Sequence, residues 1–277
     1  MPADPQTHAI KGAAKAAKSV EDSSVALSIA GSDSGGGAGI QADLKTFTAL
    51  GVFGTTAITC VTAQNPSAVN GVTKIPPRIV AQQIKMICDA FPVAAAKTGM
   101  LYSEDIVRAV ARAVKKWRIN PLVVDPVMIA TSGAQLLREG AITALCTDLF
   151  PLATLITPNI FEAEVLAQRE IKSLHDMQTA AEAIGRRWKT AVVVKGGHMK
   201  GKVLTNVLYD HDIVHSFEYP RVKTTSTHGT GCTFSAAITA LLACGYILPE
   251  AVEDAGWFTA RAVADSIRVG RYNALNP

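Results

Sequence analysis

Ala94-Ala-Ala-Lys-Thr-Gly-Met-Leu-Tyr-Ser-Glu-Asp-Ile-Val-Arg-Ala-Val-Ala-Arg-Ala-Val-Lys-Lys-Trp-Arg-Ile-Asn-Pro-Leu-Val-Val-Asp125 carries the pattern that decides the fold. Ala94–Lys97 and Leu122–Asp125 are short apolar runs of strand length, each ending on a charged residue. Between them Ile106, Val107, Val110 and Val114 recur at three- and four-residue steps, which predicts an amphipathic helix over Ile106–Trp117. Strand, helix, strand is a βαβ unit, and such units build parallel sheets covered on both faces.

The same alternation runs outward in both directions. Val25–Ala30, Ala57–Thr62, Thr154–Thr157 and Ala191–Lys195 are further candidate strands, and Ile79–Phe91 a further helix. Val203–Tyr209 and Ile213–Tyr219, joined by Asp210–Asp212, predict an antiparallel hairpin at the sheet edge. Helices over about 231–244 and 250–268 close the chain. The expected fold is a three-layer α/β/α domain with a mainly parallel central sheet.

Composition agrees and excludes other classes. The 277 residues are 48% hydrophobic and 18% charged, a globular balance with ample material for one large core. Lys+Arg number 27 and Asp+Glu 23, a net charge of +4, which with only 6% aromatics makes no nucleic-acid footprint. No apolar run approaches a membrane span. The five cysteines include no CxxC pair, so the expectation is neither a disulfide framework nor a structural zinc, but a cytoplasmic chain. Residues 1–22, rich in Ala and Lys, form an expected disordered extension ahead of one domain over 23–277. A targeting peptide is disfavoured there by Asp4, Glu21 and Asp22.

In open α/β sheets ligands sit beyond the carboxyl ends of the strands. Those positions hold Gly31-Ser-Asp-Ser-Gly-Gly-Gly-Ala-Gly39, Ala63-Gln-Asn65, Thr98-Gly-Met100, Asp125-Pro-Val127, Pro158-Asn-Ile-Phe-Glu162 and Gly196-Gly-His198. The first cluster fits neither a P-loop nor a dinucleotide fingerprint, yet has more glycine than a turn needs. A helix starts near Ile40 and sets Asp43 in its first turn, as a helix-end charge or a ligand contact. Thr227-His-Gly-Thr-Gly-Cys-Thr233 runs straight into an apolar helix. Gly229 and Gly231 expose backbone N–H groups at the positive end of a helix dipole, an anion hole suited to phosphate. Cys232 in that first turn is expected to have a lowered thiol pKa. Asp125 and Glu162 suit a hydrated Mg²⁺, with helix capping as the alternative for Glu162. Lys195 ends a buried strand and needs an anionic partner, for which a phosphate is a candidate. His211 and His215 are expected to be exposed hairpin residues, and Cys60, Cys88, Cys146 and Cys244 core residues.

These motifs resemble, in order and across Val25 to about Gly270, hydroxymethylpyrimidine/phosphomethylpyrimidine kinases of thiamine biosynthesis, in the ribokinase-like superfamily. The stretches are Ala30–Phe47, Val61–Asn65, Lys97–Leu101, Val124–Met128, Thr157–Asn159 with Glu162, Val194–His198 and Thr227–Thr233. The resemblance implies ATP- and Mg²⁺-dependent phosphorylation of 4-amino-5-hydroxymethyl-2-methylpyrimidine and then of its monophosphate. It implies that Gln64 reads the aminopyrimidine and that Gly31, Asp43, Met100 and Val127 line its pocket. Asp125 and Glu162 match acidic positions near Mg²⁺ and phosphate, and Lys195, Asn159 and Thr230 match the ATP site. Gly229, Thr230, Gly231 and Cys232 match the anion hole, with Cys232 where related sugar kinases place an aspartate base. The implied partners are the pyrimidine and ATP, with a homodimer left open. The tail Gly270–Pro277 lacks the glycine-rich ending usual in that family, so the natural C-terminus is expected to be missing or altered. A pyridoxal kinase of the same superfamily, or a non-catalytic binding protein, are the competing readings.

Overall fold

The computed structural model describes residues 23–128, 137, 139–199, 201–222 and 228–277. The extension 1–22 and Thr227 lie outside them.

The chain begins with β1 (Val25–Asp33), α1 (Gly39–Ala49), β2 (Phe53–Asn65) and β3 (Ala68–Lys74). It continues through α2 (Pro77–Ala90), β4 (Val93–Thr98), α3 (Glu104–Trp117), β5 (Leu122–Val124) and α4 (Glu139–Ala144). Next come β6 (Leu155–Ile156), α5 (Ile160–Ala167), α6 (Leu174–Trp188), β7 (Ala191–Val194), β8 (Val203–Asp210) and β9 (Ile213–Pro220). The last elements are α7 (Thr230–Ala243), α8 (Leu248–Ala264), β10 (Ile267–Val269) and β11 (Tyr272–Ala274).

Nine strands form one sheet in the order β3-β2-β1-β4-β5-β6-β7-β8-β9. The run from β2 to β7 is parallel; β3 at one edge and the β8–β9 hairpin at the other are antiparallel. Strand alternation splits the core into two layers. Leu122, Val124, Ile156, Val192 and Val194 pack with α2, α3, α5 and α6, whereas Val123, Leu155 and Val193 pack with α7 and α8. The inner strands are therefore buried on both faces, as a parallel sheet between helices requires. The expected three-layer α/β/α architecture with a mainly parallel central sheet is the observed one.

Three local expectations change. β3 lacked a strand signal because all seven of its residues are exposed and no face is apolar. The final helix stops at Ala264 rather than about 268, and Ile267–Val269 pairs with Tyr272–Ala274 as a small hairpin. Cys244 is exposed rather than in the core, and all five cysteines are free thiols.

Strand order reverses between β1 and β4: from β1 the chain steps to β2 on one side, and β4 lies on the other. Such a switch point opens a crevice at the carboxyl ends, because the connections leave in opposite directions.

Candidate active site

Two glycine-rich loops meet over that crevice. The loop after β1 is tied down by Asp33, whose carboxylate accepts the N–H groups of Gly35 (2.8 Å), Gly37 (3.2 Å) and Ala38 (2.9 Å). The loop before α7 is seated on it. Gly229 has φ +84°, and a Cβ there would overlap the Gly37 carbonyl oxygen. Glycine is required at 229 on both counts. His228 Nε2 stands 3.0 Å from Asp33 Oδ2 and pins the two loops together. Burial works against the Asp33 carboxylate, but His228 and the loop N–H groups outweigh it and hold its pKa below the ordinary value.

The α7 N-terminus points into a field of buried charge. Lys195 Nζ lies 2.9 Å from Asp125 Oδ1, while Ser235 Oγ donates to Asp125 Oδ2 at 3.2 Å. A Cβ on Gly231 would sit 3.4 Å from Lys195 Nζ and 4.0 Å from Asp125 Oδ2. The anion-hole turn, the lysine and the aspartate expected from sequence are thus neighbours. Burial lowers the Lys195 pKa, but Asp125 and Glu162 outweigh it and keep the ammonium charged.

Glu162 and Asn159 occupy the next strand end. Asn159 caps α5: its Oδ1 accepts Glu162 N–H at 3.0 Å, and Glu162 Oε2 accepts Asn159 N–H at 2.8 Å. Glu162 Oε1 accepts Met128 N–H at 2.9 Å, joining the loops after β5 and β6. The capping alternative for Glu162 is realised, alongside its place in the charge cluster. Burial, opposed by Lys195 and reinforced by Asp125, pushes its pKa to about 7. Asn159 also bridges Lys195 in parallel fashion, so the loops after β6 and β7 are joined at the site.

A second buried ion pair lies under the crevice. Lys97, the penultimate residue of β4, donates to Asp43 Oδ1 at 2.6 Å, and Ser28 donates to Asp43 Oδ2 at 2.5 Å. Asp43 is not an exposed helix-end charge or an open pocket wall: it is fully buried, with both oxygens engaged. Lys97 is the functional candidate that the sequence reading passed over. Like Lys195, it is a lysine at the end of a buried strand and needs an anionic partner.

Cys232 reverses an expectation. Its thiol pKa is raised to about 11, because burial, Asp43 and Asp125 outweigh Lys97 and a hydrogen bond from the Gly39 backbone at the start of α1. The remaining expected residues flank the crevice. A Cβ on Gly31 would meet Met100 Cε at 3.1 Å, which places those two together. Val127 follows Asp125 with φ +45°, a conformation costing a β-branched residue roughly 1–3 kcal/mol. Gln64 ends β2, and its backbone N–H and C=O both bond Ser34 Oγ, at 2.8 and 2.6 Å. Its carboxamide makes no hydrogen bond among the described residues. Thr98, Thr157 and Thr233, at two strand ends and in α7, have buried hydroxyl oxygens without partners among the described residues. Buried hydroxyls left unpaired beside a crevice are suited to a polar ligand.

Comparison with known proteins gives the same answer from a different direction. The hydroxymethylpyrimidine/phosphomethylpyrimidine kinase of Bacillus subtilis is 45% identical over 246 residues, covering 88% of this chain and 91% of that one. A thiamine biosynthesis bifunctional protein of Geobacter sulfurreducens is 44% identical over 245 residues, and the match spans 50% of its length. Among solved structures, an ADP complex of Bacillus subtilis pyridoxal kinase superposes with TM-score 0.86 at 40% identity, covering 92% of this chain and 97% of that one. Phosphomethylpyrimidine kinase from Clostridium difficile gives TM-score 0.78, also at 40% identity, over 86% of this chain and 99% of that one. The family model described as phosphomethylpyrimidine kinase matches residues 33–276, from the aspartate that ties the first glycine loop to the end of the C-terminal hairpin, and the chain belongs to that family.

Proposed function

We propose that this chain transfers the γ-phosphoryl group of ATP first to the hydroxymethyl group of 4-amino-5-hydroxymethyl-2-methylpyrimidine and then to the resulting monophosphate, for thiamine synthesis. The observation that carries the reading is the Lys195–Asp125 ion pair lying where a Cβ on Gly231, at the α7 N-terminus, would meet it. Phosphoryl transfer needs positioning and charge neutralisation more than covalent chemistry. The N–H groups of Gly229–Cys232 hold the transferring phosphoryl, and Lys195, Asn159 and Thr230 face the nucleotide phosphates. Gln64 offers a donor and an acceptor together, the complement of a ring nitrogen beside an exocyclic amine. Gly31, Met100 and Val127 border the ring. Asp43 acts from beneath through Lys97. Cys232, in its minor thiolate form, takes the hydroxymethyl proton in the first step.

Magnesium fits this arrangement as a companion of the nucleotide. All four carboxylate oxygens of Asp125 and Glu162 have protein partners. Among the described residues no cluster of three His, Cys, Asp or Glu side chains is placed to hold a metal ion. A cation that keeps its waters suits such carboxylates, which would act on its water shell. When bound it would neutralise phosphate charge. We also place residues 23–277 in one kinase domain acting in the cytoplasm; no helix among the described residues is long and apolar enough to cross a membrane.

Likeness to a pyridoxal kinase favours one second reading, a pyridoxal-type ring as the substrate. Comparing kcat/KM for the pyrimidine alcohol and for pyridoxal, with and without a magnesium chelator, tests both. Turnover of the pyrimidine that needs magnesium supports the proposal. Turnover of pyridoxal alone overturns it.

A further inference from the structure

Lys97 and Asp43 are 1% and 0% exposed, 2.6 Å apart, and lie beneath the first turn of α7. A buried ion pair is a poor stabiliser: the desolvation of both charges offsets their attraction, and apolar residues of similar volume pack there as well. Two further facts connect the pair to the chemistry above it. Lys97 Nζ also approaches the Cys232 carbonyl oxygen at 3.4 Å. An ammonium carries three N–H groups, and Asp43 and that carbonyl account for only two among the described residues.

We infer that Lys97, held by Asp43, is a positioning residue for the alcohol phosphorylation, supplying the positive charge against which Cys232 accepts the hydroxymethyl proton. The inference rests on the proposed role of Cys232. In the step, the hydroxyl O–H bond breaks and its proton passes to the sulfur of Cys232 in its thiolate form, the minor form of this raised-pKa thiol at neutral pH. The freed oxygen pair forms the new P–O bond, ADP leaves with the electron pair of the old one, and the proton is later lost to water. No oxidant or reductant is needed. The charged groups around the sulfur are Lys97 from β4, Asp43 from α1, Asp125 after β5 and Lys195 after β7. Lys195 is committed to Asp125, so Lys97 is the cation that balances Asp43. Burial disfavours its ammonium, but Asp43, Cys232 and Asp125 outweigh that and keep it charged. The monophosphate step needs no such help, because its nucleophile is already ionised near neutral pH.

The test follows alkylation of Cys232 by iodoacetamide against pH, read by peptide mass spectrometry, with exposed Cys244 of the same chain as the internal reference. Both phosphorylations are assayed in parallel. Lys97→Met removes the charge. Lys97→Gln/Asp43→Asn keeps a neutral hydrogen-bonded pair, for the case in which an unpaired Asp43 prevents folding. Loss of one pKa unit of thiolate support is tenfold in thiolate population. The expected result is Cys232 alkylation slowed at least about tenfold at pH 8 relative to Cys244. The alcohol step should fall by a similar factor, with its pH optimum moved upward, and the monophosphate step should fall much less. Unchanged Cys232 alkylation, or equal loss of both steps with that profile unmoved, overturns the inference and leaves a packing role. Cys232→Ala separates the two ideas. If it impairs both steps equally, the proposed role of Cys232 fails by itself. If it spares the monophosphate step while the Lys97 variants leave alkylation unmoved, only the Lys97 inference fails.

Discussion

Asp33 and His228 stand 3.0 Å apart across 195 positions of sequence, and their contact joins the two glycine-rich loops of the site. Asp33 carries the greater burden, since it also satisfies three backbone N–H groups. Asp33→Ala strands those donors and should cost roughly 1–3 kcal/mol of stability, whereas His228→Ala loses one hydrogen bond and should cost about 0.5–1.5 kcal/mol. Denaturant titration measures both. The folded pKa of Asp33 is depressed, so its stabilisation is present above the unfolded carboxylate value and lost as pH falls below it. A flat acid limb in wild type relative to His228→Ala would refute the latch.

Glu162 works in the opposite sense. Its pKa rises from 4.5 to about 7 on folding. The sheltered proton favours the folded state below pH 4.5, and that contribution is lost as pH rises through about 7. A shift of that size corresponds to about 3 kcal/mol. Glu162→Gln removes the titration, so the wild type should lose stability relative to the variant between pH 4.5 and 7, followed by thermal melts. A constant difference across that window would contradict the assignment.

Gln64 has its backbone fixed by Ser34 and its carboxamide free of protein partners among the described residues. Gln64→Leu leaves the polar edge of the bound pyrimidine unpaired and should cost roughly 1–3 kcal/mol of binding free energy. Calorimetry with the pyrimidine alcohol is the check, and unchanged affinity refutes the contact.

Gly231 is set so that a single methyl makes ordinary contact with Lys195. Gly231→Ala should therefore fold normally. Gly231→Val projects two further methyls toward Lys195 and the exposed N–H groups. Losing one oxyanion-type donor typically costs about 10²–10³-fold in rate, and both phosphorylations use these donors. Both rates should fall by about 10²-fold, with an unaltered melting curve. Retention of either rate would remove Gly231 from the shared phosphate site.

The architecture was legible because the parallel strands are buried on both faces and so read as apolar runs: Leu122-Val-Val and Ala191-Val-Val-Val are strands β5 and β7 within one residue of expectation. β3 was not legible, since an exposed antiparallel edge has no burial pattern to print in the sequence. The strand-end rule pointed to Asp125, Asn159, Glu162 and Lys195, and the glycine turn before a helix to Gly231; the fold brings all five close together. It could not show that Asp43 lies against Lys97, 54 positions away. The Cys232 thiol shows the same limit. A helix N-terminus argues locally for a lowered pKa, but the burial and the two aspartates that reverse it arrive through tertiary contacts.

One site for two phosphorylations is the central claim, with Cys232 needed for the first. The alcohol must lose a proton as the new bond forms, whereas the monophosphate is already largely ionised, its second pKa being about 6. General base catalysis is typically worth about 10²–10⁴-fold, and the backbone anion hole survives loss of the thiol. The direct measurement is ATP consumption by Cys232→Ala with each purified substrate. The account predicts loss of most alcohol kinase activity, by about 10²-fold or more, with much of the monophosphate kinase activity kept. Equal loss of both activities would contradict it and assign Cys232 to phosphate binding or packing.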